Sequence, residues 1–151
     1  MQFIYRRQNQ HAFTIVELLI VIVVIGILAA ITIVAFNGVQ SRARDASLSS
    51  SVVSLEKGLK LYNAENGTFP SSLGCADDSG CSVGGLSTAL VPKYMPLIPS
   101  ILANVGVSYA RNTGGIGYGL NIPYETKARC VSGENPNMGW GWFNSTGLKI
   151  C

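Results

Sequence analysis

Histidine is almost absent from this chain of 151 residues: His11 is the only one, and none follows it. A Ser-His or Cys-His catalytic pair therefore cannot form after residue 11. The four cysteines include no C-x-x-C pair, so they lack the ligand spacing of a zinc knuckle. The sequence thus predicts a protein that is not an enzyme and that uses neither a metal nor another cofactor.

Charge is also scarce, because Asp, Glu, Lys and Arg make up 13% of the chain and the formal net charge is +3. Nucleic-acid-binding domains usually cluster basic residues on one face, whereas those of the C-terminal part of this chain are scattered. DNA contact is conceivable, but a solvated surface is the favoured interpretation of these residues, which are Lys93, Arg111, Lys127 and Arg129.

One long apolar run extends from Phe13 to Phe36, and Glu17 is its only charged residue. At about 1.5 Å per helical residue, this run can cross a hydrocarbon core of about 30 Å. It exceeds the apolar core of an ordinary secretory signal peptide, and no A-x-A cleavage site follows it. Residues 1–12 before it contain Arg6 and Arg7 but no acidic residue. We therefore expect a retained membrane helix preceded by a short basic leader.

The helix is expected to continue through residues 37–66, a segment without proline. Apolar residues recur there at alternating steps of four and three, namely Leu48, Val52, Leu55, Leu59 and Tyr62. This spacing places an apolar stripe on one helical face. Asn66-Gly67 then supplies a left-handed stop. The pattern predicts one helix from Phe13 to Asn66, apolar all round in its first half and amphipathic in its second.

All six prolines and most of the 17 glycines lie from Gly67 onwards, which indicates a separate head at residues 67–151. Its patterns predict a short helical stretch near residues 86–91, a hairpin turn at 112–115, and strands at 105–111, 116–122, 125–131 and 140–150. A small antiparallel sheet on the apolar face of the helix would bury both surfaces, so we expect an α+β fold.

The head contains all four cysteines, which are Cys75, Cys81, Cys130 and Cys151. An even number of cysteines in a small Gly-rich domain beside a membrane segment is typical of disulfides in an oxidising compartment. The sequence therefore predicts two disulfides.

Glu17 interrupts the apolar run where a charge is costly in a bilayer. One interpretation is that Glu17 lies near the membrane surface, where it reaches headgroups or becomes protonated. The other begins with a cut before Phe13, which would create an α-ammonium group. That group and Glu17 would lie at the same end of one helix, four residues apart. They pair more naturally between two neighbouring molecules that are staggered along a common axis than within one molecule. We therefore treat self-assembly as a hypothesis.

The segment AFTIVELLIVIVVIGILAAI closely resembles the class III signal sequence of type IV pilins and type II secretion pseudopilins. The common form of that motif is a small residue followed by FTLIELLIVIAIIGILAAI. The resemblance covers residues 12–38 and implies the type IV pilin fold. It also implies cleavage between Ala12 and Phe13 by prepilin peptidase, N-methylation of Phe13, and a role for Glu17 in assembly. Family leaders usually end in glycine, for which Ala12 is a small replacement.

The same resemblance implies a domain organisation. Residues 1–12 would be the leader, residues 13–36 the transmembrane and assembly half of the long helix, residues 37–66 its amphipathic half, and residues 67–151 the disulfide-bonded head. The precursor would cross the cytoplasmic membrane once, with its N-terminus inside and its head outside. It would then enter a homo-oligomeric helical filament at the cell surface with the help of an assembly platform and minor pilins.

The favoured pairing is Cys75–Cys81, which closes a local loop, with Cys130–Cys151, whose longer loop resembles the disulfide-bounded C-terminal segment of many pilins. Pairing of Cys75 with Cys130 or with Cys151 remains open.

The favoured function is a type IV pilus subunit. The alternatives are a type II secretion pseudopilin and a monomeric, signal-anchored extracytoplasmic binding protein.

Overall fold

The computed structural model describes residues 13–134 and 149–151. The chain divides into two compact units, Met1–Gln40 and Ser41–Cys151, which are described separately below. Helix α1 (Ile15–Asn66) contributes residues to both units and confirms the predicted long helix. The expected leader, residues 1–12, lies outside the described residues.

In the first unit, α1 exposes apolar side chains on all its faces, as the sequence predicts. By length and composition, α1 is the one helix in the described part of the chain that could cross a membrane. The polar group of Thr32 is satisfied within the helix, because its hydroxyl donates to the Leu28 carbonyl oxygen at 2.7 Å. This stretch therefore presents an apolar surface that requires a lipid or protein environment.

In the second unit, α1 buries the predicted apolar stripe, except that Tyr62 at its end is only partly buried. The stripe packs against the apolar side chains of a small sheet and of short helical segments in one core, which contains Leu48, Val52, Leu55, Leu59, Leu86, Leu90, Leu102, Tyr109, Tyr118, Leu120 and Ile122. Gly58 lies on the same buried face, where a Cβ would contact the Met95 side chain. The core thus joins the amphipathic half of α1 to the sheet.

Within residues 13–134 and 149–151, the sheet has five strands in the order β1-β2-β3-β4-β5. They are β1 (Cys81–Ser82), β2 (Ser108–Arg111), β3 (Tyr118–Ile122), β4 (Cys130–Glu134) and β5 (Lys149–Ile150). Strands β1 to β4 pair antiparallel, whereas β5 pairs parallel with β4. The predicted α+β fold with a small antiparallel sheet is therefore confirmed, with a parallel fifth strand added at its edge.

The short elements follow the turn chemistry of the sequence. A 3₁₀ turn (Val83–Leu86) leads into α2 (Ser87–Leu90), which confirms the predicted helical stretch. The predicted hairpin turn joins β2 to β3: the Asn112 side-chain oxygen accepts from the Gly117 N–H at 2.9 Å, and Gly114 and Gly115 adopt positive φ. Helix α3 (Ser100–Asn104) was not predicted, because this single turn directly follows the connector that contains Pro96 and Pro99.

The predicted strand at residues 125–131 is wrong, because β4 begins only at Cys130. The N–H groups of Glu125 and Thr126 donate to the carboxylate of Asp45 on α1, not to a neighbouring strand. Residues 123–129 consequently form a loop against α1. The predicted strand at 140–150 lies mostly outside the described residues, which include only its end as β5.

Candidate functional site

The N-terminus of α1 is closed by reciprocal hydrogen bonds between Thr14 and Glu17. The Thr14 N–H and hydroxyl donate to Glu17 Oε2 at 2.8 and 2.7 Å, and the Glu17 N–H donates to Thr14 Oγ1 at 3.2 Å. Because Thr14 immediately precedes the first helical residue, Ile15, this arrangement is a capping box. It satisfies N–H groups that a helix start leaves unpaired and places a negative charge where the helix dipole favours it.

The capping box was missed in the sequence analysis, although Thr14-x-x-Glu17 before an apolar run is its usual pattern. Both Thr14 bonds fall on Oε2, and Glu17 is exposed, so Oε1 can be reached by a second group. Phe13 lies just before the cap and is 82% exposed. Ala12, the other expected processing residue, lies outside the described residues. A cut before Phe13 would leave the whole capping box in the mature chain.

A second set of polar contacts joins α1 to the loop at residues 123–129. Arg44 Nε and Nη2 each donate to a different carboxylate oxygen of Glu125 at 2.8 Å. Asp45 accepts from the N–H groups of Glu125 and Thr126 at 2.9 Å each, and from the Thr126 hydroxyl. Asp45 is only 4% exposed. We call these four residues, Arg44, Asp45, Glu125 and Thr126, the helix–loop clamp.

The helix–loop clamp predicts a loss of stability in acid. The hydrogen bond from the Thr126 hydroxyl, followed by those from the N–H groups of Glu125 and Thr126, holds the pKa of Asp45 below its usual value. A carboxylate with a lowered folded-state pKa adds stability above its unfolded pKa, about 4, and loses that contribution as pH falls through the folded value. The free energy of unfolding should therefore fall as the pH drops below about 4.

Asp45→Asn separates this effect from those of other carboxylates. Because the amide does not ionise, the variant should be less stable at neutral pH but lose less further stability in acid. Unfolding of the full chain in detergent micelles, followed by the near-ultraviolet circular dichroism of its tyrosines across a pH series, measures both curves. If the free energy of unfolding fell with pH in parallel for the wild type and for Asp45→Asn, Asp45 would not be the source of the acid sensitivity.

The cysteines form two disulfides. Cys75 is bonded to Cys81, with Cα atoms 6.1 Å apart, and Cys130 to Cys151, with Cα atoms 5.1 Å apart. The Cys151 N–H also donates to the Val131 carbonyl oxygen at 2.9 Å, so Cys151 is attached to β4 by two kinds of bond. The second disulfide and the β4–β5 pairing thus hold residues 149–151 on the sheet.

Two of the expected surface cations have structural partners. The Arg111 side chain is 24% exposed, and it pairs with Asp77 and donates to the Phe69 carbonyl oxygen at 3.0 Å. The expectation of a solvated surface is therefore wrong for Arg111, because this residue ties the Cys75–Cys81 loop to β2. Lys93 forms an exposed ion pair with Glu65. Lys127 and Arg129 are exposed, as expected.

Comparison with known proteins relates the chain to bacterial secretion and fimbrial proteins. The family model described as the prokaryotic N-terminal methylation motif matches residues 7–33. Core protein G of the type II secretion system of Klebsiella michiganensis is 36% identical over 67 residues, which are 44% of this chain and 47% of that protein. The Escherichia coli K12 core protein G is 33% identical over 64 residues, 42% of this chain and 44% of that protein.

The type IV major fimbrial protein FimA of Dichelobacter nodosus is 47% identical over 57 residues, covering 38% of this chain and 33% of that protein. The chain thus spans less than half the length of each of these relatives. No solved structure matches it. The predicted resemblance is confirmed: the chain carries the prepilin-type N-terminal methylation motif, its relatives are type II secretion and type IV fimbrial proteins, and its long apolar helix and small antiparallel sheet are consistent with the type IV pilin fold.

Proposed function

We propose that this chain is a structural subunit of a type IV pilus, made as a single-pass precursor in the cytoplasmic membrane and polymerised after processing. The observation that carries the proposal is the match of residues 7–33 to the methylation motif at the start of an exposed apolar helix. The identity of 47% to a type IV major fimbrial protein supports the pilus in particular.

The apolar surface of α1 supports assembly by helix packing. Its exposed side chains fit a bilayer, and they would fit a bundle of identical helices equally well. Lipid tails are as apolar as these side chains, so transfer from lipid into such a bundle loses little hydrophobic free energy. A head-to-tail contact that does not close then produces an open helical filament.

Glu17 is the proposed determinant of the stagger between subunits. After cleavage before Phe13, the methylated ammonium group of one subunit would meet the carboxylate of a neighbour in poorly solvated surroundings, where an unpaired charge is unfavourable. The capping box engages Glu17 Oε2 within its own subunit, and both hydrogen bonds donated by Thr14 fall on this oxygen rather than on Oε1. One carboxylate can thus bridge its own helix and a neighbouring subunit.

The proposed orientation places the N-terminus in the cytoplasm and the head outside. Two disulfides in the head favour an oxidising compartment. The proposed partners are prepilin peptidase, the pilus assembly platform, minor pilins and further copies of this chain. We assign the protein no catalytic role, because its residues act in this account through packing and charge pairing.

Processing can be tested at Ala12. Ala12→Glu places a large charged side chain beside the proposed cut and should leave the chain in the membrane at precursor mass. Ala12→Gly, the matched control, restores the usual family residue and should be processed at least as fast as wild type. Immunoblotting and intact mass measurement of membrane fractions distinguish the two forms. A mature chain from Ala12→Glu would contradict cleavage at this position.

The second candidate is a pseudopilin of a type II secretion system, which the identity of 36% to a core protein G favours. Deletion of the gene, followed by complementation, separates the candidates. Loss of shearable surface filaments with normal protein secretion supports the pilus subunit. Loss of extracellular proteins without loss of surface filaments supports the pseudopilin.

A further inference from the structure

A polar cleft lies in the second unit between one face of α1 and the loop at residues 123–129. Arg42, Asp45, Ala46 and Ser49 line it from α1 at spacings of three and four residues, and Thr126 and Lys127 line it from the loop. Its volume is about 450 Å³. The helix–loop clamp fixes this loop against α1, so the two sides of the cleft have a defined separation.

The cleft carries a net positive charge. Arg42 and Lys127 are its two cations, and both are exposed. Asp45, the acidic residue among the described residues that line it, is buried and accepts hydrogen bonds from the loop with both carboxylate oxygens. Lys127 Nζ lies 5.4 Å from the centre of the Tyr124 ring, a cation–π distance that restricts its position. The two cations therefore dominate the accessible charge of the cleft.

The position of Arg42 in the sequence favours a membrane headgroup as the ligand. Arg42 follows Phe36, the end of the apolar run, by six helical residues, a rise of about 9 Å. The polar layer on each side of a hydrocarbon core is about 5–8 Å thick. With the apolar run across a bilayer, the Arg42 backbone would lie just beyond this layer, and its long side chain would reach back to the lipid phosphates.

We propose that this cleft binds a phosphate group and that, in the membrane precursor, the phosphate belongs to an anionic phospholipid. The inference rests on the membrane-anchored precursor proposed above. The planar guanidinium of Arg42 provides paired N–H donors that match phosphate oxygens, and Lys127 provides a second positive charge. The Ser49 hydroxyl adds a neutral hydrogen-bonding group at the same cleft. The site would hold the precursor at a fixed depth beside the headgroups before its extraction.

The test uses the full chain, isotopically labelled, in maltoside micelles that contain no phosphate. Phosphatidylglycerol is added at constant ionic strength, and the backbone amide signals of Ala46, Ser49, Thr126 and Lys127 are followed by nuclear magnetic resonance. These signals should shift saturably. Phosphatidylcholine, which has no net charge, and oleate, which is anionic but has no phosphate, should shift them much less.

Substitution of both cations supplies the residue-level test. Each basic residue near an anionic surface contributes about a factor of five in binding, so Arg42→Gln with Lys127→Gln should raise the half-saturating lipid fraction about 30-fold. The matched control, Lys57→Gln with Lys60→Gln, removes two exposed cations from the same helix and should bind like wild type. The proposed site would be overturned if both double variants weakened phosphatidylglycerol binding equally. It would also be overturned if oleate shifted the amide signals as much as phosphatidylglycerol does.

Two further measurements, a titration with inorganic phosphate and hydrogen exchange of the apolar helix, test the source of the phosphate and the insertion of the chain. Inorganic phosphate that saturates the same signals while phosphatidylglycerol does not would overturn the lipid source but retain the phosphate site. Hydrogen exchange of residues 15–36 in the same sample reports insertion into the micelle. An inserted chain without these shifts overturns the cleft proposal alone, whereas a chain that does not insert overturns the membrane-anchored precursor as well.

Discussion

Glu17→Ala is expected to reduce sheared surface filaments below detection while leaving the level of the membrane-inserted chain unchanged. The substitution removes the proposed partner of a neighbouring subunit's ammonium group, and a buried charge without a partner strongly disfavours assembly. Alanine does not disturb the apolar run, so membrane insertion should persist. Immunoblots of sheared and membrane fractions from the native host measure both quantities.

The capping box requires two further variants, because alanine also removes a helix cap. Glu17→Gln retains an oxygen that can accept from Thr14 but has no charge, and glutamine is an accepted capping-box residue. Thr14→Val has the opposite effect, since it retains the carboxylate and removes the hydroxyl that bonds to it. We expect Glu17→Gln to fail like Glu17→Ala, and Thr14→Val to assemble at a reduced level.

These variants distinguish two roles of one carboxylate. Normal filaments from Glu17→Gln together with none from Thr14→Val would mean that Glu17 acts only by closing its own helix. The expected pattern would mean that its charge acts between subunits and that the cap orients it. An apolar residue at position 14 is suitable here because valine keeps the size and branching of threonine and leaves the surrounding apolar surface largely intact.

Removal of the second disulfide is expected to have the largest effect on stability. Cys130→Ser with Cys151→Ser should lower the free energy of unfolding by about 3 kcal/mol, because the bond closes a loop and restricts the unfolded chain. The sequence separation is 21 residues, and the bond secures β5 (Lys149–Ile150) beside β4. For a head of this size the loss corresponds to a fall in Tm of about 15 °C.

Cys75→Ser with Cys81→Ser is the matched control, because it also replaces one disulfide by two hydroxyls. Its sequence separation of 6 residues closes a shorter loop, so the expected loss is smaller, about 2 kcal/mol. Thermal unfolding of both full-length variants in the same micelles, at the same pH, compares them directly. A larger loss for the shorter loop would show that the two disulfides do not act mainly through the unfolded chain.

The parts of the fold that depend on local periodicity could be predicted from the sequence. The long helix is an example, since its apolar run, its apolar stripe and its Asn66-Gly67 stop are all short-range features. The capping box was equally local and could have been recognised from Thr14 and Glu17 alone. The cost of a charge in a bilayer instead indicated a cation from outside the helix as the partner of Glu17.

The loop at residues 123–129 could not be predicted in this way. Its residues resemble a strand by composition, but the N–H groups of Glu125 and Thr126 bind a carboxylate that lies 80 residues or more earlier in the chain. Such a partner becomes visible only once the helix and the sheet are packed. The cleft at Arg42 and Lys127 depends on the same long-range contact, and for that reason the sequence showed only scattered basic residues.

Intact mass measurement combined with N-terminal sequencing of protein sheared from the cell surface tests the central proposal most directly. We expect a chain that begins at N-methylated Phe13 and contains two disulfides. A chain that begins at Met1 and occurs only in the membrane fraction would contradict processing and filament assembly. In that case the protein would be better described as a monomeric, signal-anchored binding protein.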